Sequence, residues 1–524
     1  MSVLHDVLPE IHTAPVEVAT LASVLEDAGL LDGDVVGPTD ALVEGVTIDS
    51  RQAGAGVLFG AISPDTHAGR DGHDFVDDAL ARGASAALVS GGWLRARPSS
   101  APAPLGKGEG TARGPSLPGA AFVPATDTRA ALAEVAATVY GRPGDALGLI
   151  GVTGTNGKTT TVFLLHHLLT ALGLEAGLVG TVENRIGESR YATAYTTPEA
   201  PALQRFLRTA LEGGCSHVAM EVSSHGLALD RVGGLGFEVA VFTNLTQDHL
   251  DYHETFDEYR ASKKKLFDGL GPDSVAIVNR DDPEWERMVE DTAARVVTFG
   301  TDPASDVRVE VVGNALEGLL LELGGDRRRY RMLGRFNALN LAAAYAVGAA
   351  LGHDKDAVLD ALEAAPGVPG RFETVRAGGV LGVVDYAHTP DALANVLATA
   401  AEIVPDGNEL WVVFGAGGDR DAGKRPEMGA VASRATSRVI ITSDNPRTED
   451  PLAIIEDVVQ GTVRPALEVA DRAQAIRHAA REARDGDVIV VAGKGHETYQ
   501  IVGAERRDFD DRVVLRDALT LRER

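Results

Sequence analysis

The sequence predicts an α/β protein of three domains. Its 524 residues are enough for about three domains at roughly 100 to 200 residues each. Most predicted strands are continuous apolar runs followed by a helical stretch, a pattern typical of parallel strands buried on both faces. A Gly-rich turn between one such strand and its helix indicates a phosphate site. We predict a small α/β domain over 1–144, a central domain with a largely parallel sheet over 145–366, and a doubly wound domain over 367–524.

The first predicted domain begins with short elements. The β-type runs GVTID, GVLFGAI and SAALV alternate with the helical stretch HDFVDDALARG between residues 16 and 90. Residues 95–119 are rich in Pro, Gly, Ser and Ala, which predicts a disordered loop. A strand over AAFVP and a helix capped near Asp127 follow, and the Pro-Gly pair at 143–144 ends the domain.

The other two domains repeat the strand–helix alternation. In the central domain the buried strands are ALGLIGVTG, HVAMEV, VAVFTN and SVAIVN, and the clearest helix is TTTVFLLHHLLTALG. A break at 366–370, APGVPG, separates them from GVLGVVDYAH, ELWVVFGAGG, RVIITSD and DVIVVAGKG. Each of these four runs precedes a helical stretch, which favours a doubly wound sheet.

Charge and composition exclude several classes of protein. The 49 cationic and 76 acidic side chains give a formal net charge of -27, so a nucleic-acid-binding protein or an anionic-membrane-binding protein is not expected. The single cysteine, Cys215, excludes an internal disulfide and a multi-cysteine metal site and fits a reducing compartment. Neither a signal peptide nor an apolar run long enough to span a bilayer is present. We therefore expect a soluble cytoplasmic protein with no membrane insertion; its oligomeric state is open, with a monomer favoured.

The strongest local signal is GVTGTNGKTTT, between a buried strand and an amphipathic helix. Glycines in such a turn let backbone N–H groups surround phosphate oxygens, while a lysine reaches the terminal phosphates and a threonine hydroxyl ligates Mg²⁺. Val152 takes the place of the first glycine of the strict pattern G-x-x-x-x-G-K-[ST]. The predicted phosphate-binding residues are Gly154, Thr155, Asn156, Gly157, Lys158, Thr159 and Thr160.

Two more segments follow strands of the same predicted sheet. Because the carboxyl ends of parallel strands share one edge, their first residues are expected beside the phosphates. Carboxylate and imidazole groups there are candidate Mg²⁺ ligands, although each such residue, taken alone, is more often structural. The candidates are Glu221, Ser223, Ser224, His225 and Arg231 in the first segment, and Asp248, His249, Asp251, His253 and Lys263 in the second.

Many motifs, in order, carry a resemblance to a known family. They are GTNGKTTT, YTTPEA, EVSSHGLALDR, TNLTQDHLDYHETFDEYRASKKKLF, LGRFNALNLAAA, PGRFE, DYAHTPDAL, FGAGGDRDAGKRPEMG, TSDNPRTEDP and AGKGHETYQIV. From about Gly45 to Arg512 the chain resembles the Mur ligases, and among them the members that add 2,6-diaminopimelate. The resemblance implies an N-terminal UDP-binding domain, a central ATPase domain and a C-terminal Rossmann-like domain. It also implies an ATP-dependent, ADP-forming amide ligase of peptidoglycan precursor synthesis.

The resemblance also implies roles for the residues of the phosphate site. Lys158 and Thr159 hold the ATP phosphates and one Mg²⁺, and Glu221 and His249 are further metal ligands. Lys263, in the frame Y-x-x-x-K-x-x-L-F, matches a family lysine that CO₂ converts to a carbamate able to bind a second Mg²⁺.

Further residues match family contacts with the two nucleotide substrates. Asn337, Arg371 and Asp385 match residues that hold ATP. The residues that match contacts with the UDP-muramoyl dipeptide are Ile48, Ser50, Thr196, Thr197, Ser223 and Arg231. Leu229 departs from the family pattern, since some relatives have Gln there, and the loop containing Thr66 to Arg70 is longer than in several relatives, which leaves its uridine contacts unassigned.

The segment Asp444–Asn445–Pro446–Arg447 has the form found in diaminopimelate-adding members. A guanidinium grips the distal carboxylate of diaminopimelate with two parallel hydrogen bonds, whereas lysine would set an ammonium against it. Arg420 is placed for a substrate carboxylate, and Gly493 and Glu497 suit the distal ammonium. The meso and LL isomers are not distinguished by this argument.

Three alternatives remain open from the sequence. A lysine-adding or folylpolyglutamate-type ligase is the nearest, disfavoured by Arg447 and by the UDP-binding first domain. A regulatory P-loop protein is disfavoured because Lys158, Glu221, His249 and Lys263 are all intact. A nucleic-acid motor is disfavoured by the net charge.

Overall fold

The computed structural model describes residues 8–9, 11, 13–64, 70–97, 119–248, 250–315 and 317–523. These residues form two compact units, one holding the chain up to Phe299 with Ala346–Leu351, the other holding Gly300–Tyr345 and the chain from Gly352 onward. The α/β class is confirmed, since each unit contains a largely parallel sheet whose strands alternate with helices. The boundaries at 144/145 and 366/367 stay predictions.

The first unit opens with a small sheet and its helices. Strands β3 to β6 lie in chain order and are all parallel, whereas β1 and β2 form a separate antiparallel pair. In chain order the elements are β1 Val16–Glu17, α1 Val18–Asp27, β2 Leu42–Val43, β3 Gly45–Thr47, β4 Val57–Gly60, α2 Val76–Ala81, β5 Ala86–Ser90, α3 Gly91–Ala96, β6 Ala121–Ala125 and α4 Thr128–Val139.

Two local predictions for this region can be checked. Asp127 does cap α4, because its carboxylate accepts from the N–H groups of Arg129 and Ala130. The prediction of a loop from residue 95 is wrong at its start, since α3, capped by Ser90, continues to Ala96, and Arg95 pairs with Asp32. Residues 98–118 of that loop lie outside the described residues.

A second, larger sheet of the first unit contains the Gly-rich turn. Its strands lie in the order β10-β9-β8-β11-β7-β12-β13-β14. The β8–β9 and β9–β10 pairs at one edge are antiparallel, and the other pairs are parallel. The elements are β7 Gly148–Thr153, α5 Lys158–Ala171, β8 Ala176–Val179, β9 Asn184–Ile186, β10 Ser189–Tyr191, α6 Ala200–Glu212, β11 His217–Glu221, α7 Ser224–Ala228, β12 Val239–Phe242, α8 Leu250–His253, α9 Phe256–Asp268, β13 Val275–Asn279, α10 Trp285–Val289 and β14 Arg295–Gly300. The four strands predicted here are present and almost wholly buried, as their continuous apolar pattern requires.

Three antiparallel strands and two helices follow: β15 Val307–Ala315, β16 Gly318–Leu323, β17 Asp326–Tyr330, α11 Phe336–Ala350 and α12 Lys355–Ala364. The apolar side chains of β16 alternate with polar ones in part, which is typical of a sheet with one face toward a core.

The second unit contains a six-stranded sheet in the order β18-β19-β23-β20-β21-β22, parallel except for β18. The four predicted strands are β19, β20, β21 and β23, and strand order reverses beside β23, as in doubly wound sheets. The elements are β18 Glu373–Ala377, β19 Val380–Asp385, α13 Pro390–Ile403, β20 Leu410–Phe414, α14 Lys424–Ala435, β21 Arg438–Ile441, α15 Pro451–Val459, β22 Leu467–Glu468, α16 Arg472–Glu482, β23 Val488–Ala492, β24 Tyr499–Val502, β25 Glu505–Asp508 and α17 Asp511–Thr520.

The helices of this sheet cover both faces with separate apolar clusters, one built on Val383, Val412 and Val490 and the other on Val384 and Val413. Among the described residues, no helix has the length and apolar character needed to cross a membrane.

Candidate active site

The Gly-rich turn is a tight loop between β7 and α5. Gly154 has φ 146°, and a Cβ added there would lie 2.0 Å from Thr243 Oγ1, so only glycine fits against the end of β12. The Asn156 N–H donates to Asn244 Oδ1 at 2.9 Å, and Thr243 Oγ1 donates to the Asn156 carbonyl at 2.6 Å. The turn therefore keeps its shape through contacts with the neighbouring strand, although Val152 lies in β7 where the strict motif has glycine.

Two lysines meet at this turn. Lys158 Nζ donates to the carbonyls of Gly154 and Thr155, both at 2.8 Å, and Lys263 Nζ, from α9, also donates to the Gly154 carbonyl at 2.8 Å. Lys263 is only 1% exposed, and its Nζ lies 4.6 Å from the ring centre of Tyr259. Burial and the nearby Lys158 ammonium hold the pKa of Lys263 well below its ordinary value.

Glu221, the last residue of β11, lies buried beside the start of α5. Its Oε2 accepts from Thr159 Oγ1 at 3.0 Å and from Thr181 Oγ1 at 3.1 Å, and its Oε1 accepts from the Thr181 N–H at 2.8 Å. A carboxylate and a hydroxyl oxygen so close together are donors that Mg²⁺ prefers, and that ion keeps several waters when bound. The donor set thus fits Mg²⁺, and Thr160 is buried in the same turn of α5.

The remaining predicted metal ligand, His249, lies outside the described residues. The described chain contains no group of three His, Cys, Asp or Glu side chains arranged to hold a metal ion. His225 and His253 stand in a ring cluster, with ring centres 5.4 Å apart and Tyr252 within 4.8 Å of both. The role of these two histidines as Mg²⁺ ligands stays a prediction.

Four of the residues matched to the UDP-muramoyl dipeptide come together. Thr197 Oγ1 is 3.1 Å from Ser223 Oγ and donates to the Glu221 carbonyl at 2.9 Å, while Thr196 Oγ1 is 3.0 Å from Thr181 Oγ1. Arg231 donates to the Thr197 carbonyl at 3.1 Å and pairs with Glu199 at 2.7 Å. These groups connect directly to Glu221, so the predicted dipeptide contacts adjoin the phosphate turn.

The predicted uridine contacts lie at the small parallel sheet. Ser50 is buried and donates to Asp78 Oδ2 at 2.7 Å, and Ile48 packs on the apolar cluster beneath that sheet. Leu229, where some relatives have Gln, is buried at the end of α7. Residues 65–69 lie outside the described residues.

The second unit holds the other predicted ATP contacts. Asp385 ends β19, and its two oxygens accept from the N–H groups of Phe372 and Ala387, each at 2.7 Å; burial raises the pKa of Asp385. The Arg371 guanidinium lies 4.5 Å from the ring centre of Tyr386. Asn337 is buried and donates to the Leu333 carbonyl at 2.7 Å.

The loop carrying Arg371 touches the loop that follows β23. A Cβ added at Gly370, which has φ 65°, would lie 2.0 Å from the backbone nitrogen of His496. Burial, with the Arg371 and Arg512 guanidinium groups nearby, lowers the pKa of His496 to about 3. The two backbones thus pack directly on each other, and His496 is neutral at physiological pH.

A charged cluster stands at the carboxyl ends of β21 and β23. Lys494 Nζ, fully buried, donates to Asn445 Oδ1 at 3.1 Å and to Glu497 Oε2 at 3.0 Å, and lies 3.6 Å from Asp444. Asn445 Nδ2 donates to Glu497 Oε2 at 2.9 Å. Asp444, Asn445, Gly493 and Glu497 are therefore together, as predicted from the sequence. Lys494 was missed, although its place in a Gly-rich turn was a signal.

The two predicted arginines lie on adjacent loops. Arg447 Nη1 donates to the Gly418 carbonyl at 2.6 Å, and Pro446 before it is buried. Arg420, two residues after Gly418, is exposed. Both side chains are thus carried at the same edge of the sheet as Asp385 and Glu497.

Comparison with known proteins decides the family. The models described as "Mur ligase middle domain" and "Mur ligase, glutamate ligase domain" match residues 152–348 and 370–495. A UDP-N-acetylmuramoyl-L-alanyl-D-glutamate–2,6-diaminopimelate ligase of Cytophaga hutchinsonii is 40% identical over 490 residues, which cover 93% of this chain and 96% of that relative. The chain belongs to the Mur ligase family.

Other Mur ligases agree with this assignment. A relative of the same name from Geobacillus kaustophilus is 42% identical over 486 residues, which cover 90% of this chain and 94% of that relative. A solved structure of that name is 32% identical with a TM-score of 0.66, covering 98% of this chain and all of its own. A MurF ligase of Thermotoga maritima, solved in complex with ADP, is 19% identical with a TM-score of 0.58, covering 92% and 97%, and shows the shared fold alone. The chain is an ATP-dependent ligase with the three-domain Mur ligase fold.

Proposed function

We propose that this Mur ligase joins 2,6-diaminopimelate to the D-Glu side-chain carboxylate of UDP-N-acetylmuramoyl-L-alanyl-D-glutamate, with hydrolysis of ATP to ADP and phosphate. The observation that carries the proposal is the match, over nine-tenths of the chain, to relatives named for that reaction. The domains over 1–144, 145–366 and 367–524 take the nucleotide substrate, ATP and the amino acid respectively. The reaction takes place in the cytoplasm, where ATP and the UDP-linked substrate are dissolved.

The reaction has two covalent steps. A carboxylate is a poor electrophile, so its oxygen first attacks the γ-phosphorus of ATP, the β–γ phosphoanhydride bond breaks, and ADP leaves. The amine nitrogen of diaminopimelate then attacks the acyl carbon, the bond to phosphate breaks, and the nitrogen loses a proton. Charge develops mainly on phosphoryl oxygens, so the protein acts by positioning and electrostatic stabilisation.

The phosphate turn supplies the groups for the first step. The turn over 154–157 and the start of α5 bind the ATP phosphates through N–H groups other than those of Thr155 and Asn156, which donate to Asn244. Lys158 moves its ammonium from the carbonyls it now contacts to the terminal phosphates. Thr159, Glu221 and His249 hold Mg²⁺, which when bound neutralises phosphoryl charge. Buried Glu221, held by Thr181, keeps a fixed position for that purpose.

Lys263 is proposed to act as a carbamate. A neutral amine attacks the carbon of CO₂ and releases one proton, and both burial and Lys158 favour the neutral amine here. The resulting anion replaces a neutral amine beside the Lys158 ammonium, so the two groups attract each other, and it would provide oxygen ligands for a second Mg²⁺.

The other substrate contacts follow the placements given above. Asn337, Arg371 and Asp385 are further ATP contacts, with Asp385 accepting from ribose hydroxyls. The muramoyl dipeptide is bound by Thr196, Thr197, Ser223 and Arg231. The uridine is bound by Ile48 and Ser50.

The charges of the amino-acid site fit a diaminopimelate ammonium. The carboxylates of Asp444 and Glu497 share one ammonium, that of Lys494. The three side chains together therefore carry one negative charge, which attracts the distal ammonium of diaminopimelate. Arg447 and Arg420 provide guanidinium groups for its carboxylates. A lysine-adding ligase is the second candidate, and Arg447 argues against it because lysine lacks the distal carboxylate.

The test is phosphate release from ATP in the presence of UDP-muramoyl-L-Ala-D-Glu. Meso-diaminopimelate, LL-diaminopimelate and L-lysine are compared as acceptors, with turnover expected for one diaminopimelate isomer. Arg447→Ala should lower kcat/KM for that isomer by about 100-fold or more, while Arg464→Ala, an exposed arginine of the same unit, should leave it unchanged. Turnover with lysine would overturn the choice of amino acid, and no turnover with any acceptor would overturn the ligase reaction.

A further inference from the structure

Two loops leave neighbouring strands at the amino-acid site. Strands β20 and β21 are parallel and paired to their last residues, Phe414 and Ile441. The loop over 415–423 carries Arg420, and the loop over 442–450 carries Arg447. The distance between the two guanidinium groups therefore depends on how the loops are joined.

A side-chain carboxylate joins them beside both arginines. Asp419 Oδ1 accepts from Thr448 Oγ1 at 2.6 Å, and Asp419 Oδ2 accepts from the Thr448 N–H at 3.2 Å. Asp419 precedes Arg420 and Thr448 follows Arg447. The Gly418 N–H also donates to the Asn445 carbonyl at 2.9 Å, so the join begins in the backbone and ends in the pair Asp419–Thr448, which we call the latch.

The backbone at both ends of this join is unusual. Asp419 has φ 53° and Arg447 has φ 51°, a left-handed conformation that costs free energy for residues other than glycine. Such a conformation persists where the surroundings hold it, and it occurs often at ligand-binding sites. The hydrogen bonds of Thr448 to Asp419 are part of those surroundings, and they also hold the pKa of Asp419 below its ordinary value.

Global stability does not explain the latch. Asp419 and Thr448 are both exposed, and exposed polar contacts contribute little to folding. A different group secures the base of the loops: Arg425, which is buried, pairs with Glu449 at 2.8 Å and Asp457 at 2.9 Å. The Asp419 N–H also donates to Glu449 Oε1, so the latch continues this base toward the two arginines.

We propose that the latch is a positioning device that sets the separation of Arg420 and Arg447 and thereby selects an amino acid with two carboxylates. The inference rests on the proposed function, because it concerns the acceptor of that reaction. A preorganised pair of guanidinium groups binds such an acceptor without ordering two loops at the moment of binding. Asp419 and Thr448 do not contact the substrate themselves.

The test compares three variants of the full chain with the wild type. Thr448→Val removes the hydroxyl donor at nearly constant size, Thr448→Ser keeps it, and Asp421→Asn is the matched control. Asp421 is also an exposed aspartate of the 415–423 loop, but it accepts from the Gly423 N–H, at 2.8 Å, within the same loop. KM is measured separately for diaminopimelate, ATP and the UDP-muramoyl dipeptide, together with kcat, the lysine rate and the melting temperature.

We expect Thr448→Val to raise KM for diaminopimelate about tenfold, to narrow the preference over lysine, and to leave kcat and the other two KM values within about twofold. Thr448→Ser and Asp421→Asn should behave as the wild type. An unchanged KM for diaminopimelate in Thr448→Val, or equal rises in all three KM values with a lowered melting temperature, would overturn the latch alone. A wild type without turnover on diaminopimelate would overturn the proposed function and the latch together.

Discussion

Lys158 and Lys263 donate to the same carbonyl oxygen, that of Gly154, each at 2.8 Å. Two ammonium groups on one acceptor repel each other, and burial of Lys263 adds to the cost of its charge. The arrangement therefore favours a neutral Lys263 beside a charged Lys158. It gives a physical reason for the proposed reaction of Lys263 with CO₂.

Lys263→Ala tests the role of that amine. We expect ligase activity to fall by about 100-fold or more, because a fixed charge at the phosphoryl site is lost, and added bicarbonate should not restore it. Lys264→Ala is the control, because Lys264 pairs with Asp268 and Asp291, whereas Lys263 donates to the Gly154 carbonyl. Full activity in Lys263→Ala would remove the carbamate from the mechanism.

Glu221→Gln tests the Mg²⁺ site. The substitution keeps an oxygen for the Thr181 N–H but removes the negative charge, so we expect kcat to fall about 100-fold and the half-saturating Mg²⁺ concentration to rise. Initial rates across a Mg²⁺ titration measure both quantities. Glu212→Gln, at the surface of α6, is the control, and an unchanged Mg²⁺ dependence of Glu221→Gln would exclude Glu221 as a ligand.

The buried ion pair of Arg472 and Asp511 predicts a stability effect. Both side chains are fully buried and 2.7 Å apart, and Arg472 also donates to the Ala492 carbonyl at 2.9 Å. Arg472→Met should lower the free energy of unfolding by about 3–5 kcal/mol, because it leaves the Asp511 charge unpaired. Urea unfolding followed by fluorescence measures it.

The matched control is Arg481→Met, which removes an exposed partner of Glu482 and should change the free energy of unfolding by less than about 0.5 kcal/mol. The double variant Arg472→Met with Asp511→Leu should recover most of the loss. A single variant as stable as the wild type would contradict the prediction.

His496 predicts the response to acid. Its pKa is about 3 in the folded chain and 6.5 at its ordinary value, so between these values the unfolded chain binds more protons. The contribution of His496 to the free energy of unfolding is therefore complete above pH 6.5. It falls as the pH drops below that value, by up to about 1.4 kcal/mol per pH unit. His496→Gln should lose less stability than the wild type between pH 7 and pH 5, measured by urea unfolding.

The comparison for His496 is His478→Gln, at the surface of α16, which should leave the acid loss of the wild type unchanged. If the free energy of unfolding depends on pH identically in His496→Gln and the wild type, groups other than His496 cause the loss of stability in acid.

The sequence predicted those parts that depend on local pattern. Continuous apolar runs located β7, β11, β12 and β13, and the Asp127 cap was visible because a capping side chain bonds two or three residues onward. The turn around Gly154 was located in spite of Val152, since the strand, the glycines and Lys158 are contiguous. The resemblance then named Glu221 and Lys263, which local pattern alone does not distinguish from structural residues.

Partners brought together from distant parts of the chain could not be predicted. Lys494 meets Asn445 only because β21 and β23 end at the same edge of the sheet, and Arg472 meets Asp511 only after α16 and α17 pack together. Helix α3 was missed because it is short and runs into a Pro- and Ser-rich segment, while a tertiary pair of Arg95 with Asp32 stabilises it.

The direct packing of Gly370 on the His496 backbone links the loop that carries Arg371 to the loop that follows β23. In the proposed function the loop with Arg371 binds the nucleotide and the loop with Lys494 and Glu497 binds the amino acid, and the backbones of the two loops are in direct contact. Neither loop can shift without displacing the other. An inhibitor that displaces one of these two loops would therefore impair the binding of both substrates. A substitution of Gly370 by a larger residue could not give resistance, because a side chain there would clash with the His496 backbone.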